Sequence, residues 1–245
     1  MLPCSFKHQS RKIYHGHRDR QRDAILAAAA DLFVARGIEA VSVADIAGVA
    51  RVTRPTIYQY FPNKQEIAWA VFEAYVIEEQ AALPPEVWSA DLTGAARLAL
   101  LLEVRGHLLH ANPARTLFFA QFDVLYAHER STERMNASKR MLLGETEPLT
   151  AAVQAGIADG SLRSELDPTL TVVALHTLVA GLERRLATAQ PTFAAEFDSS
   201  SEETYRMACH FMLQDVLAAD GAGRLPREAA PLAAGAPGAI RGWTS

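Results

Sequence analysis

The chain has 245 residues, 49% of them apolar and 21% charged, enough to bury a core in one or two domains and too apolar for a disordered chain. Its two cysteines, Cys4 and Cys209, show neither metal spacing nor a disulfide framework, which points to a reducing cytoplasm. No apolar run of signal-peptide length occurs near the first residues, and the most apolar segment, LALLLEVRGHLL, is interrupted by Glu103, Arg105 and His107, so neither export nor a membrane span is expected.

The net charge of −4 is unevenly divided. Residues 1–64 carry ten Lys and Arg against five Asp and Glu, whereas residues 65–245 carry fourteen against twenty-three. A basic module on an acidic body suits phosphate binding by the module alone. Residues 1–18 contain Lys7, Arg11, Lys12 and Arg18 with no acid, and read as a flexible basic arm.

From Arg20 the apolar residues Ile25, Leu26, Ala29, Leu32 and Phe33 recur at three- and four-residue steps until Gly37, the pattern of a first helix. Ser42 and Asp45 form a capping-box pair that starts a short second helix through Ala50. Thr53 then caps a third helix, with Pro55 in its first turn and Val52 and Ile57 at the two positions of a hydrophobic staple. The segment FPNK ends it, and KQEIAWAVFEAYVIEEQAAL continues as a fourth helix to Pro84. Further helices are expected near 91–111, 113–128, 131–159, 168–189 and 202–219, with Asp167 as N-cap and Pro168 in the first turn of the helix that follows. No segment alternates with period two, so the fold class is all-α. The last 25 residues, 221–245, hold seven alanines, five glycines and three prolines, a composition expected to stay disordered.

Two short helices joined by a tight turn make a helix-turn-helix. At about 100° per residue, Ile57 and Phe61 face inward, and Arg54, Pro55, Thr56, Tyr58, Gln59 and Tyr60 form the outward side and its rims. That set has chemical sense in a major groove. Gln59 can pair with an adenine edge, Thr56 can bond a base or place its methyl on thymine, and tyrosine hydroxyls can reach phosphates. Arg54 sits at the helix N-terminus, where phosphate is favoured; Lys64 and the N–H groups at the Ser42 and Thr53 caps are candidates for further backbone contacts.

The segment SVADIAGVARVTRPTIYQYFPNKQEI, and more broadly residues 20–67, resembles the DNA-binding segment of the TetR/AcrR family of bacterial transcriptional regulators. The likeness rests on Ile46 and Ala47, Thr53, the run from Thr56 to Phe61, and Lys64. It implies a homodimer whose recognition helices enter successive major grooves of a palindromic double-stranded operator, and a C-terminal domain that binds a small effector, with no cofactor. Two positions depart from the family pattern. Arg51 and Pro55 stand where glycine is usual, and a left-handed backbone at Arg51 would cost on the order of 1 kcal/mol.

The expected organisation is an arm (1–18), a three-helix helix-turn-helix domain (19–65), a larger helical effector-binding and dimerisation domain (66–220) and a tail (221–245). Dimerisation is assigned to the apolar helices near 168–189 and 202–219. Candidate pocket residues are the aromatics Phe72, Tyr75, Trp88, Phe118, Phe122 and Tyr126 with His107 and His176; Glu103 and Asp123 are expected to pair with Arg105 or Arg115. Two other readings compete: a helical interaction module that does not read DNA, and a metalloenzyme using His107, His110 and His128 or His176. The second lacks an E-x-x-H motif, a nucleophile elbow or a phosphate loop, so no catalytic residue and no metal ligand is assigned.

Overall fold

A computed structural model describes residues 6–89, 91–126, 147–189 and 192–218, with side chains from Arg20 onward. Described residues up to Tyr75 form one compact unit and those from Val76 a second. Every regular element among them is helical. A single isolated bridge joins Leu162 to Leu217.

The first unit begins with α1 (Phe6–Arg36), α2 (Val43–Val49), α3 (Arg54–Tyr60) and the first part of α4 (Lys64–Ala81). The expected flexible arm is helical from Phe6, which corrects the start of the first helix by more than three turns. The apolar stripe from Ile25 to Phe33 provides a packed nucleus, and adding a residue to an existing helix is far easier than starting one. Gly37, at φ 83°, stops α1 in a left-handed conformation. Ile25, Ala29 and Phe33 of α1, Ile46 of α2, Ile57 of α3 and Ile67 of α4 are almost wholly buried and make the core of this unit.

In the second unit a 3₁₀ turn (Pro85–Trp88) precedes α5 (Gly94–Ala111) and α6 (Pro113–Tyr126). Helix α7 is described over residues 147–158; the rest of the helix expected at 131–159, like His128 and the tail 221–245, lies outside the described residues. Helices α8 (Pro168–Ala189), α9 (Phe193–Phe197) and α10 (Ser201–Val216) follow. Asp167 caps α8 through the Leu170 N–H at 2.7 Å, as its position before Pro168 led one to expect. Ser200 and Glu203 form a capping box on α10. Leu98, Leu102, Val153, Leu175, Leu186 and Tyr205 bring α5, α7, α8 and α10 into one core. Gly106 lets α5 approach α10 closely, since a Cβ there would lie 2.5 Å from Tyr205 Cε1.

Candidate nucleic-acid interface and internal cavity

Helix α2 starts where Ser42 and Asp45 satisfy each other: Ser42 Oγ accepts from the Asp45 N–H at 3.1 Å, and the Ser42 N–H donates to Asp45 Oδ2 at 2.8 Å. The Ser42 hydroxyl donates to the same carboxylate, and these side-chain and backbone bonds to it, helped by Arg36 at 3.4 Å, lower the Asp45 pKa to about 2. Both donors of the cap are thereby used within the protein.

Between α2 and α3 the chain turns through Arg51, at φ 54°. The Val52 N–H reaches back to the Ala47 carbonyl at 3.0 Å and the Arg51 N–H to the Gly48 carbonyl at 3.4 Å, the paired bonds of a Schellman termination. A glycine usually occupies the left-handed position of that motif because an L side chain is strained there. Here an exposed arginine occupies it.

Helix α3 is capped by Thr53, whose Oγ1 accepts from the Thr56 N–H at 3.3 Å and lies 2.8 Å from Thr56 Oγ1. Pro55 falls in the first turn, where its missing N–H leaves no intrahelical bond unmade. The helix divides as its periodicity predicts. Ile57 and Phe61 are buried, Arg54, Pro55, Tyr58 and Gln59 are exposed, and Thr56 and Tyr60 are half-buried. Arg51 and Arg54 therefore carry two exposed positive charges at the turn and the helix N-terminus.

Two of the expected DNA contacts have partners inside the protein. The Tyr60 hydroxyl donates to Gln21 Oε1 of α1 at 2.9 Å, tying α3 to α1. Lys64 Nζ donates to the carbonyls of Ile38, Glu39 and Val41 at 2.8, 3.2 and 2.9 Å. An ammonium group has three donors. All three are engaged with the loop between α1 and α2, so Lys64 positions that loop.

The second unit holds a partly open cavity of about 70 Å³. Val76, Glu79 and Gln80 of α4, Leu101, Leu102, Val104, Arg105 and Leu108 of α5, Leu149 of α7, and Leu175, His176 and Val179 of α8 contribute to its wall. Of the eight pocket candidates, His176 alone lines it. Trp88 and His107 are exposed, and Phe118, Phe122 and Tyr126 stack along α6, with centroids 6.1 and 4.8 Å apart. Phe72 and Tyr75 belong to the first unit. Large rings filled core positions, and the cavity was left to leucine and valine.

The wall also carries charge. Arg105 grips buried Glu183 through Nε to Oε1 at 2.9 Å and Nη2 to Oε2 at 2.6 Å. Burial alone would lower the arginine's pKa, but the Glu183 carboxylate outweighs it and raises it, holding the guanidinium charged. Arg115 of α6 contacts Glu78 at 3.3 Å and Glu79 at 3.6 Å. The expected pairing with Glu103 and Asp123 is thus corrected: both arginines find glutamates on other helices. Burial, then Arg105, lowers the His176 pKa, and burial followed by Glu183 raises that of Tyr205, whose hydroxyl donates to the Leu102 carbonyl at 3.0 Å. His110 Nδ1 bonds the Gly106 carbonyl at 2.6 Å, and among the described residues no three His, Cys, Asp or Glu cluster as metal ligands.

Residues 25–71 match the profile of bacterial regulatory proteins of the tetR family. The chain is 30% identical over 165 residues to an uncharacterized HTH-type transcriptional regulator, YdeS, of Bacillus subtilis, covering 63% of this chain and 76% of that one. To the HTH-type transcriptional repressor KstR2 of Rhodococcus jostii it is 27% identical over 153 residues, 61% of this chain and 72% of the relative. The crystal structure of the transcriptional regulator FadR from Bacillus subtilis in complex with stearoyl-CoA superposes with a TM-score of 0.61 at 18% identity, over 79% of this chain and 98% of that one, a likeness of fold.

Proposed function

The chain belongs to the TetR family of transcriptional regulators, helix-turn-helix proteins that act on DNA, and from that premise we propose how its parts divide the work. Residues 19–65 read a palindromic operator, and residues 66–220 bind a small effector and hold two copies together. The observation that carries the reading is the outward face of α3, where Arg54, Pro55, Tyr58 and Gln59 are exposed around a helix anchored by buried Ile57 and Phe61. Gln59 reads a base edge, Arg51 and Arg54 meet phosphates or a guanine, and Thr56 and Tyr58 flank them.

The dimer forms through α8 and α10. On α8, Leu170, Val173, Ala174, Thr177 and Leu178 make an exposed stripe at helical spacing, and on α10 Met207 and Phe211 are exposed. Two such helices per subunit across a two-fold axis give a four-helix interface. The cavity of the second unit is the effector site. At about 70 Å³ it is smaller than the few hundred cubic ångströms of an ordinary ligand pocket, so a large effector would have to favour a wider state. That difference in affinity between states is what releases DNA; on this reading the protein is a repressor that acts in the cytoplasm and carries out no catalytic step. Among the described residues no helix is long and apolar enough to cross a membrane.

The test is binding of purified protein to a palindrome from the DNA flanking its own gene, measured by fluorescence anisotropy at several salt concentrations. A reader loses affinity steeply with salt, and Gln59→Ala narrows the gap between operator and mutated operators by about 1–3 kcal/mol at one base pair per half-site. Unchanged base preference at every position in Gln59→Ala removes that residue from the reading role.

A further inference from the structure

Glu79 lines the cavity from α4 among charged groups that do not balance. Glu78 lies beside it on the same helix, Arg105 on α5, Arg115 on α6, and Glu183 and His176 on α8; the α7 residues of the wall, Pro148 and Leu149, bring no charge. Arg105 is committed to Glu183 by two hydrogen bonds. Arg115 is shared, 3.3 Å from Glu78 and 3.6 Å from Glu79. Burial, with Arg105 adding to it, favours the neutral form of His176. Among the described residues three carboxylates therefore face two guanidiniums, an excess of one negative charge.

That charge sits on Glu79. Among the described residues its carboxylate makes no hydrogen bond, and its contact with Arg115 is too long for one. Burial raises its pKa against the opposing pull of Arg105 and Arg115. A carboxylate whose side chain is only 28% exposed, in a largely apolar wall and without a hydrogen bond, is stabilised by a proton or a cation.

We propose that this cavity takes a small apolar amine, its ammonium paired with Glu79 and its hydrocarbon body against Leu83, Leu101, Leu108, Leu149 and Val179. A carboxylate ligand would add a second unpaired negative charge, and an alcohol would leave the first one in place. The volume of about 70 Å³ suits a ligand of a few heavy atoms. Burial disfavours the ionised carboxylate of Glu79, and the amine binds that ionised form. Its affinity therefore rises with pH through the folded pKa of Glu79 and levels off above it. The inference rests on the reading of this cavity as the effector site.

The probes are n-butylammonium, n-butanol and butyrate, titrated by calorimetry into the full chain at matched ionic strength. The ammonium is expected to bind at least about tenfold more tightly than either analogue. Its heat should differ between buffers of different ionisation enthalpy, the mark of a released proton. Glu79→Gln, which keeps the shape and removes the charge, should lose about tenfold or more of the ammonium affinity. Equal or tighter binding of butanol or butyrate, no ammonium binding at tens of millimolar, or a folded Glu79→Gln that keeps full ammonium affinity overturns the proposal. Should Glu79→Gln not fold, the ranking of the three probes on the unaltered protein decides. Glu79-dependent ammonium binding that leaves operator affinity unchanged supports the amine site and defeats the effector reading. Release of DNA by butanol or butyrate, without ammonium binding, does the reverse.

Discussion

Arg51 allows backbone strain and charge to be separated by two substitutions. It occupies the left-handed position that ends α2, at φ 54°, and makes no hydrogen bond with its side chain or ion pair among the described residues. An L-residue in that conformation costs about 1–2 kcal/mol. Glycine removes that cost, but it gives back about 0.5–1 kcal/mol through the greater freedom of its unfolded chain. Arg51→Gly should therefore stabilise the protein by about 0.5–1 kcal/mol, and Arg51→Ala, which keeps a Cβ, should not. Both variants remove one positive charge beside the recognition helix, so both should weaken DNA binding and flatten its dependence on log salt by about 0.9 per lost phosphate contact. Urea unfolding at one fixed protein concentration gives the first quantity, and anisotropy titrations across a salt series give the second. If Arg51→Ala is stabilised as much as Arg51→Gly, or if Arg51→Gly is less stable than the parent, the strain argument fails. If neither variant changes the salt slope, Arg51 does not meet a phosphate.

Lys64→Met deprives three loop carbonyls of their donor, so urea unfolding should show a loss of about 1–3 kcal/mol while the salt slope of DNA binding holds; normal stability with a reduced slope would instead mark Lys64 as a phosphate contact. The Asp45 carboxyl is lowered from 3.8 to about 2, so its stabilisation is complete above the unfolded value and is lost as pH falls through this window; Asp45→Asn should flatten the acid limb of a pH-dependent melting series there. Phe211→Glu places a charge on the exposed apolar face of α10 and should abolish the proposed dimer in sedimentation equilibrium without loss of helical circular dichroism. Gly106→Ala brings a methyl group against the Tyr205 ring and should cost about 1–3 kcal/mol in the same urea assay.

The parts of this fold that were legible are those whose cause lies within a few residues. Ser42 with Asp45, Thr53 with Thr56, and Asp167 before Pro168 each satisfy backbone groups one turn away, so the sequence alone places those helix starts. The inward and outward sides of α3 follow from periodicity for the same reason. Partners across the fold do not. Tyr60 reaches a residue 39 positions earlier and Arg105 one 78 positions later, and a helical wheel that puts a side chain on a rim is silent about which helix crosses that rim. The lining of the cavity is not legible on a related ground: size makes aromatic residues good at filling space, so a list of rings locates the core, whereas a void is left where branched aliphatic walls fail to meet. Lys64 shows where the two kinds of inference part. Its place after the recognition helix is compatible with a phosphate and with three carbonyls alike, and the difference lies in the path of the loop from Ile38 to Val41, which no local pattern specifies. Arg51 is the opposite case, because a turn two helices must share demands a left-handed residue whatever surrounds it. An exposed arginine at that strained position places a positive charge beside the N-terminus of α3.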